Sequence, residues 1–176
     1  MDKNSELTKA FTAAIGMEKR GYEFYIKSAK KSKTEFERKV FEALAEDENR
    51  HIDAINGYCI NIAKRNETPE LCTVMPSHEA ITKKVIFGRR EADLLKGIKT
   101  PVDEFKAYET ALKMENDGYD FYTKALEATQ DHNARELYEF LRGEEKSHYE
   151  IIANTYEYLR DPQGWFIKEE KPIVEG

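Results

Sequence analysis

Four glutamates and two histidines recur in this chain at a spacing that lets them share one task. Glu18 sits in Met17-Glu18-Lys19-Arg20-Gly21-Tyr22-Glu23-Phe24-Tyr25, and Glu48 and His51 follow as a Glu-x-x-His. The arrangement returns 97 positions later, with Glu115 in Met114-Glu115-Asn116-Asp117-Gly118-Tyr119-Asp120-Phe121-Tyr122 and then Glu145 and His148. Each single glutamate interrupts an otherwise apolar helical stripe. A lone buried carboxylate is very unfavourable, so it must be protonated, paired or bound to a cation. Residues i and i+3 share a helix face, so each Glu-x-x-His aims an oxygen and a nitrogen at one place. Four carboxylates neutralise two divalent cations. Oxygen-rich ligation with one nitrogen per metal suits iron or manganese better than the thiolate sites that zinc favours. One Glu-x-x-His would be weak evidence; two, each following a glutamate on an apolar stripe, are far more specific. The bland alternative is a duplicated bundle whose core carboxylates satisfy one another.

Helices must position these residues. The periodicity predicts four, at about 5–32, 34–64, 101–128 and 132–160. Ser5 is read as the first N-cap, Thr34-Glu35-Phe36-Glu37 as a capping box, and Asp131 as the cap of the fourth helix. Thr100-Pro101 opens the third. The inward faces read Leu7, Phe11, Ala14, Glu18, Tyr22, Tyr25, Ala29; then Val40, Leu44, Glu48, His51, Ile55, Cys59, Ile62; then Phe105, Tyr108, Leu112, Glu115, Tyr119, Tyr122, Leu126; then Leu137, Leu141, Glu145, His148, Ile152, Thr155, Leu159. Very short turns make each helix pair an antiparallel hairpin. Residues 65–100, with Pro69, Pro76, Gly88 and Gly97, form a long crossover with a short helix conceivable over Ser77 to Leu95. Asp161-Pro162-Gln163-Gly164 stops the fourth helix, and the tail 161–176 brings Trp165 and Phe166 back onto the bundle. The expected fold is all-α: one domain over 1–176, a four-helix bundle of two antiparallel hairpins with a long crossover and a short C-terminal tail.

Composition narrows the function. Of 176 residues 35% are charged and 40% hydrophobic, with nine glycines and five prolines, a balance for amphipathic helices and not for a β-sandwich. Net charge is −6, mixed in sign along the chain, with no clustered basic face for nucleic acid. No apolar run approaches a membrane span, and the first ten residues have no signal core, so the expectation is a cytoplasmic protein. Cys59 and Cys72 form no Cys-x-x-Cys pair.

Other residues near the six carry lesser expectations. Tyr25 and Tyr122, two turns past Glu18 and Glu115, are either core tyrosines or second-shell catalytic residues that hydrogen-bond a ligand carboxylate or are oxidised beside the metals. Gly21 and Gly118 allow close helix approach or leave space at the site. Tyr22, Phe24, Tyr119 and Phe121 read as core or interface. Cys59 reads as a small core residue, and His78 and His132 as solvated. Glu46, Asp47 and Glu144 lie next to the candidate ligands, but the repeat register selects Glu48 and Glu145 instead.

With Met-Glu-x-x-Gly-Tyr-x-Phe-Tyr twice and Glu-x-x-His twice, the chain resembles the rubrerythrin-like branch of the ferritin-like superfamily over about residues 5–160. The resemblance implies two iron ions, with manganese or zinc as alternatives. Glu48 and Glu145 would bridge the metals, Glu18 and Glu115 would be terminal ligands, and His51 and His148 would each serve one metal. It implies a non-haem di-iron oxidoreductase that reduces hydrogen peroxide or dioxygen as Fe(II) is oxidised. A ferroxidase for iron storage or detoxification and a non-catalytic metal-carrying bundle are the competing readings. Two departures stand out. Rubrerythrins proper carry a further ligand glutamate where this chain has Gly118, which implies less bias toward peroxide. They also carry a rubredoxin domain, and the sequence ends at Gly176 without one, so an external electron-donor protein is expected. The long crossover suggests a homodimer that exchanges helices.

Overall fold

The structure is a computed structural model and describes residues 3–64 and 102–169. Helix α1 spans Lys3–Lys31 and α2 spans Glu35–Lys64. Helices α3 (Val102–Ala128) and α4 (His132–Arg160) form the second hairpin, and a short α5 (Pro162–Glu169) follows. The crossover expected over 65–100, its helix at Ser77 to Leu95, the Thr100-Pro101 start, Cys72 and His78 lie outside the described residues.

Local chemistry sets the turns. The Glu37 amide donates to Thr34 Oγ1 at 3.1 Å, and the Thr34 hydroxyl donates to Glu37 Oε2 at 2.7 Å, so α2 opens on a closed cap. At the equivalent place in the second hairpin, Asp131 Oδ1 accepts from the Ala134 amide at 2.8 Å. Ser5 is not a cap: α1 begins at Lys3, and Ser5 lies inside its first turn. The 161–164 stretch both ends α4 and starts α5. The Gly164 amide donates to Asp161 Oδ1 at 3.0 Å, while Pro162 takes the first helical position, where its missing N–H costs nothing. Trp165 thereby folds back, buried edge-on against Tyr158 with ring centroids 5.6 Å apart.

Two apolar clusters fill the bundle, one toward each end. The first includes Tyr25, Val40, Leu44, Tyr108, Ala111 and Ile152. The second includes Tyr122, Leu137, Leu141, Phe11, Ala14 and Ile55. Each of these six residues of the first is related to one of the six in the second by the 97-residue offset, so the two hairpins follow a pseudo-two-fold. Each cluster draws from both hairpins: the end of α1 meets the start of α3, and the start of α2 meets the end of α4. The six chemistry-bearing residues lie between the clusters, on the pseudo-axis.

Two inward assignments change. Tyr22 and Tyr119 are each 37% exposed, and the inward place beside Glu18 and Glu115 is taken by the buried Gly21 and Gly118. Phe24 and Phe121 are half-buried against the clusters as expected.

Candidate metal centre

Every one of the six candidate ligands is buried: Glu18 on α1, Glu48 and His51 on α2, Glu115 on α3, Glu145 and His148 on α4. They fall into two sets of three, the donor atoms within each set lying within 4.8 Å of one another: Glu18 with His51 and Glu145, and Glu115 with His148 and Glu48. Each hairpin gives its single glutamate and its histidine to its own set, and its Glu-x-x-His glutamate to the other.

The imidazoles stack at 5.3 Å between centroids and present the same edge inward. His51 Nδ1 lies 3.0 Å from Glu18 Oε2 and 3.8 Å from Glu48 Oε2. His148 Nδ1 lies 3.3 Å from Glu115 Oε2 and 3.7 Å from Glu48 Oε1. Their Nε2 atoms turn outward, each to a carboxylate of the other hairpin. His148 Nε2 is 3.5 Å from Asp47 Oδ2, and His51 Nε2 is 3.7 Å from Glu144 Oε2. A carboxylate behind Nε2 favours the proton there and leaves Nδ1 as the lone-pair donor, the orientation a metal-binding imidazole needs. Sequence reading set Asp47 and Glu144 aside as non-ligands and missed this role. The signal was present: an acid precedes the glutamate of both Glu-x-x-His motifs. Glu46, by contrast, is exposed.

Crowding splits the carboxyls by type. Burial pushes Glu48 up, and the facing Glu18 and Glu115 push it further. Burial likewise raises Glu145, with Glu115, Glu18 and Glu48 adding to it. Burial also works against the charge of Glu18, but the hydrogen bond with Glu48, the charge of His51 and the Tyr122 hydroxyl outweigh it and hold the group at about 2. Glu115 is lowered against burial by His148, Glu145 and Tyr25. Burial would lower His51, yet Glu18, Glu144 and Glu145 raise it to about 10; His148 rises for the same kind of reason, through Glu115 and Glu48. The crowding thus favours ionised Glu18 and Glu115 set against protonated imidazoles, with Glu48 and Glu145 driven toward the neutral acid, an arrangement that is neutral overall. Two divalent cations with four carboxylates and two neutral imidazoles would be neutral too.

The glycines shape the space. An added Cβ on Gly21 would sit 2.9 Å from Glu48 Cδ, and one on Gly118 would sit 2.5 Å from Glu145 Oε2. Both glycines leave room for a carboxylate, which is the site-forming role and not only a packing one. A cavity of about 160 Å³ opens between α1 and α3 above them, lined by Met17, Arg20, Met114, Asp117 and the four glutamates. Tyr25 donates to Glu115 Oε1 and Tyr122 donates to Glu18 Oε1, each crossing to the other hairpin's carboxylate. Cys59 is half-buried beside the second cluster and belongs to neither donor set. His132 is exposed, with Nε2 3.4 Å from Glu136.

The donor set fits divalent metal. Six buried O and N donors converge, two glycines clear the space of side chain, and the imidazoles are pre-turned. Among the described residues no helix is long and apolar enough to cross a membrane. Comparison with curated proteins and with solved structures gave no match. The family model described as Rubrerythrin matches residues 7–156, most of the sequence and all six buried donors, and the chain belongs to that family.

Proposed function

We propose that this protein is a di-iron oxidoreductase that reduces hydrogen peroxide or dioxygen. The observation that carries the reading is the exchange of Glu48 and Glu145 between the two donor sets. In this reading Glu18, His51 and Glu145 would hold one metal and Glu115, His148 and Glu48 the other, with the histidines offering Nδ1 and Glu48 and Glu145 placed to serve both. Iron bound there supplies the electrons for cleaving the O–O bond, a chemistry that oxygen-rich ligation with one nitrogen per metal favours.

The chain's own residues do the rest. Asp47 and Glu144 hold the imidazoles in the ligating tautomer. The Tyr25 and Tyr122 hydroxyls fix the terminal carboxylates and keep a proton beside each at Oε1. The cavity between α1 and α3 admits an oxidant of a few atoms and is too small for a bulky substrate. Cys59 and Cys72 form no Cys-x-x-Cys pair, and the reading takes its reducing electrons from an external donor. Anaerobic stopped-flow absorbance of the Fe(II)-loaded protein, mixed with each oxidant separately, tests the reading. Oxidation no faster than that of free Fe(II) at the same pH would sink it. Ferroxidase action is the second reading, favoured by the four glutamates on the cavity wall, which also suit Fe(II) as a substrate. Repeated Fe(II) additions separate the two: a ferroxidase keeps oxidising iron beyond two per chain.

A further inference from the structure

We propose that Arg20 is a specificity-determining residue of the cavity that leads to the centre. Its unpaired guanidinium holds back cations, lets neutral oxidants pass and draws small anions. The centre is thereby biased toward oxidants and away from Fe(II) as a turnover substrate.

The cavity lies between α1 and α3, and the repeat relates its two walls. Met17 and Met114 are repeat mates, as are Glu18 and Glu115, and both pairs line it. The match fails at one position. Arg20 lines the α1 wall, and its repeat mate on the α3 wall is Asp117. Both are exposed, at the rim. Asp117 is neutralised on its own helix, where Lys113, one turn earlier, donates to its Oδ2. The repeat mate of Lys113 is Gly16, which has no side chain to answer Arg20. The guanidinium does lie over that position, since a Cβ added to Gly16 would sit 3.6 Å from Arg20 Nη1. Positions i and i+4 are thus neighbours on both helices, but only α3 fills both with opposite charges. Among the described residues nothing pairs with Arg20. Lys19 and Glu23, its charged neighbours on α1, line no part of the cavity.

Charge counting gives the consequence. With two divalent metals bound, the four glutamates balance them, and the centre exerts no net pull on a further ion. Lys113 and Asp117 cancel at the rim. An incoming ion therefore meets one positive charge, that of Arg20, at the mouth of a cleft, where charge acts on entry rates. A further Fe(II) is repelled. Hydrogen peroxide and dioxygen are neutral and pass. The glutamates on the wall suit Fe(II) as a substrate, and Arg20 opposes its entry. The inference rests on the proposed function for the choice between oxidant and iron; the charge selection itself needs no turnover.

The first test is therefore of entry alone. Metal-free protein is mixed with Co(II) at about 0.01 M salt, where charge is felt over about 30 Å, and uptake is followed by visible absorbance. Arg20→Gln should take up Co(II) about 3–10-fold faster than wild type, a modest share of what charge does at a cleft. Gly16→Glu should do the same while keeping Arg20, because it supplies the missing partner and its Cβ fits in ordinary contact. Lys19→Gln removes an equal charge one residue away and should stay at the wild-type rate. At about 1 M salt, where charge is felt over about 3 Å, the differences should vanish. Azide binding to the Co(II)-loaded protein should show the reverse order, slowest in Arg20→Gln and Gly16→Glu. Faster entry of both ions would mean a looser mouth, and equal effects of Arg20→Gln and Lys19→Gln would mean surface charge in general; either overturns the proposal. In protein that reacts with oxidant, repeated Fe(II) additions should be oxidised beyond two per chain several-fold faster by Arg20→Gln, and a wild-type pace there overturns the bias against iron. If wild-type Fe(II) protein is inert to both oxidants while the Co(II) and azide orders hold, the proposed function fails and the charge selection stands.

Discussion

Behind His148 stands Asp47, 2% exposed and paired with Arg50; behind His51 stands Glu144, 18% exposed. The repeat mate of Arg50 is Ser147, which offers Glu144 no such cation. The two halves of the centre therefore share their six inner residues and differ in what holds them. A pair of metals constrains all its ligands at once, because losing any one leaves charge unbalanced in a buried space. A supporting carboxylate needs only to reach Nε2, by whichever length and partner its half provides. The halves should thus bind metal with the same ligands and unequal affinity, and several measurements can break or sharpen that expectation.

Losing the centre as a whole has the largest effect. Glu48→Ala/Glu145→Ala removes the residue each half lends to the other and should abolish paired loading; metal analysis near the wild-type ratio would contradict the exchange. Removing metal from the wild-type protein should act in a pH-dependent way. In the metal-free fold Glu48 and Glu145 are raised above the ordinary carboxyl value of 4.5, so stability falls as pH climbs past it. His51, raised from 6.5 to about 10, contributes stability that is fully present below 6.5 and lost as pH rises through about 10; His148 acts in the same direction. Glu18, lowered to about 2, contributes stability present above 4.5 and lost as pH falls through about 2, and Glu115 follows it. On these groups the metal-free protein should be most stable near pH 4.5, losing stability below it through Glu18 and Glu115 and above it through Glu48 and Glu145, then more steeply through the histidines. Metal competes with these protons, so its affinity rises with pH. Calorimetry of loaded and metal-free protein should show a Tm gap that widens from about pH 5 to about pH 8. A gap flat across that range would mean the cluster does not hold the protons assigned to it.

The outer carboxylates come next. Asp47→Asn should weaken binding at the set containing His148, by about 10–100-fold, the usual range for a carboxylate behind a metal-bound imidazole. Glu144→Gln should weaken the set containing His51 by less, because Glu144 is more exposed and water can replace part of its contact. Calorimetric titration with Fe(II) or Mn(II) would resolve two steps. Equal losses in the two variants would mean that Arg50 contributes nothing to the difference between the halves.

The six inner residues were legible in the sequence for the reason that makes them a set: their types and offset repeat, and no solvated helix face requires that. Asp47 and Glu144 were passed over because a charged residue beside a glutamate reads as solvent-facing, and their burial comes from contact with the other hairpin. Tyr22 and Tyr119 were placed inward because positions i+3 and i+4 both neighbour a helix face, and tyrosine carries an apolar signal where glycine carries none. The fifth helix was hidden by Pro162, which stops α4 and, one residue after an aspartate cap, equally well starts α5. Packing partners decided each of these, and partners on another element leave no mark in local periodicity.

Gly21 and Gly118 give the smallest effect and the sharpest comparison of the halves. Both glycines make way for the exchanged glutamate, but a methyl group at 118 would press on Glu145 Oε2 at 2.5 Å, while one at 21 would meet Glu48 Cδ at 2.9 Å. The contact at each position is the end of a side chain, so the carboxylate can yield, but only by leaving the place from which it serves the other half. Gly118→Ala should cost about 1–3 kcal/mol, the usual range for overpacking a filled interior, and Gly21→Ala less. Because each displaced carboxylate belongs to the opposite donor set, Gly118→Ala should weaken binding with Glu18 and His51, and Gly21→Ala binding with Glu115 and His148. A glutamate at 118, where other rubrerythrins carry a further ligand, would meet the same obstruction and displace Glu145 before adding a carboxylate of its own. Chemical denaturation and metal titration of the two alanine variants check both halves of the expectation. A Gly21→Ala variant more damaged than Gly118→Ala would reverse the order of crowding at the centre.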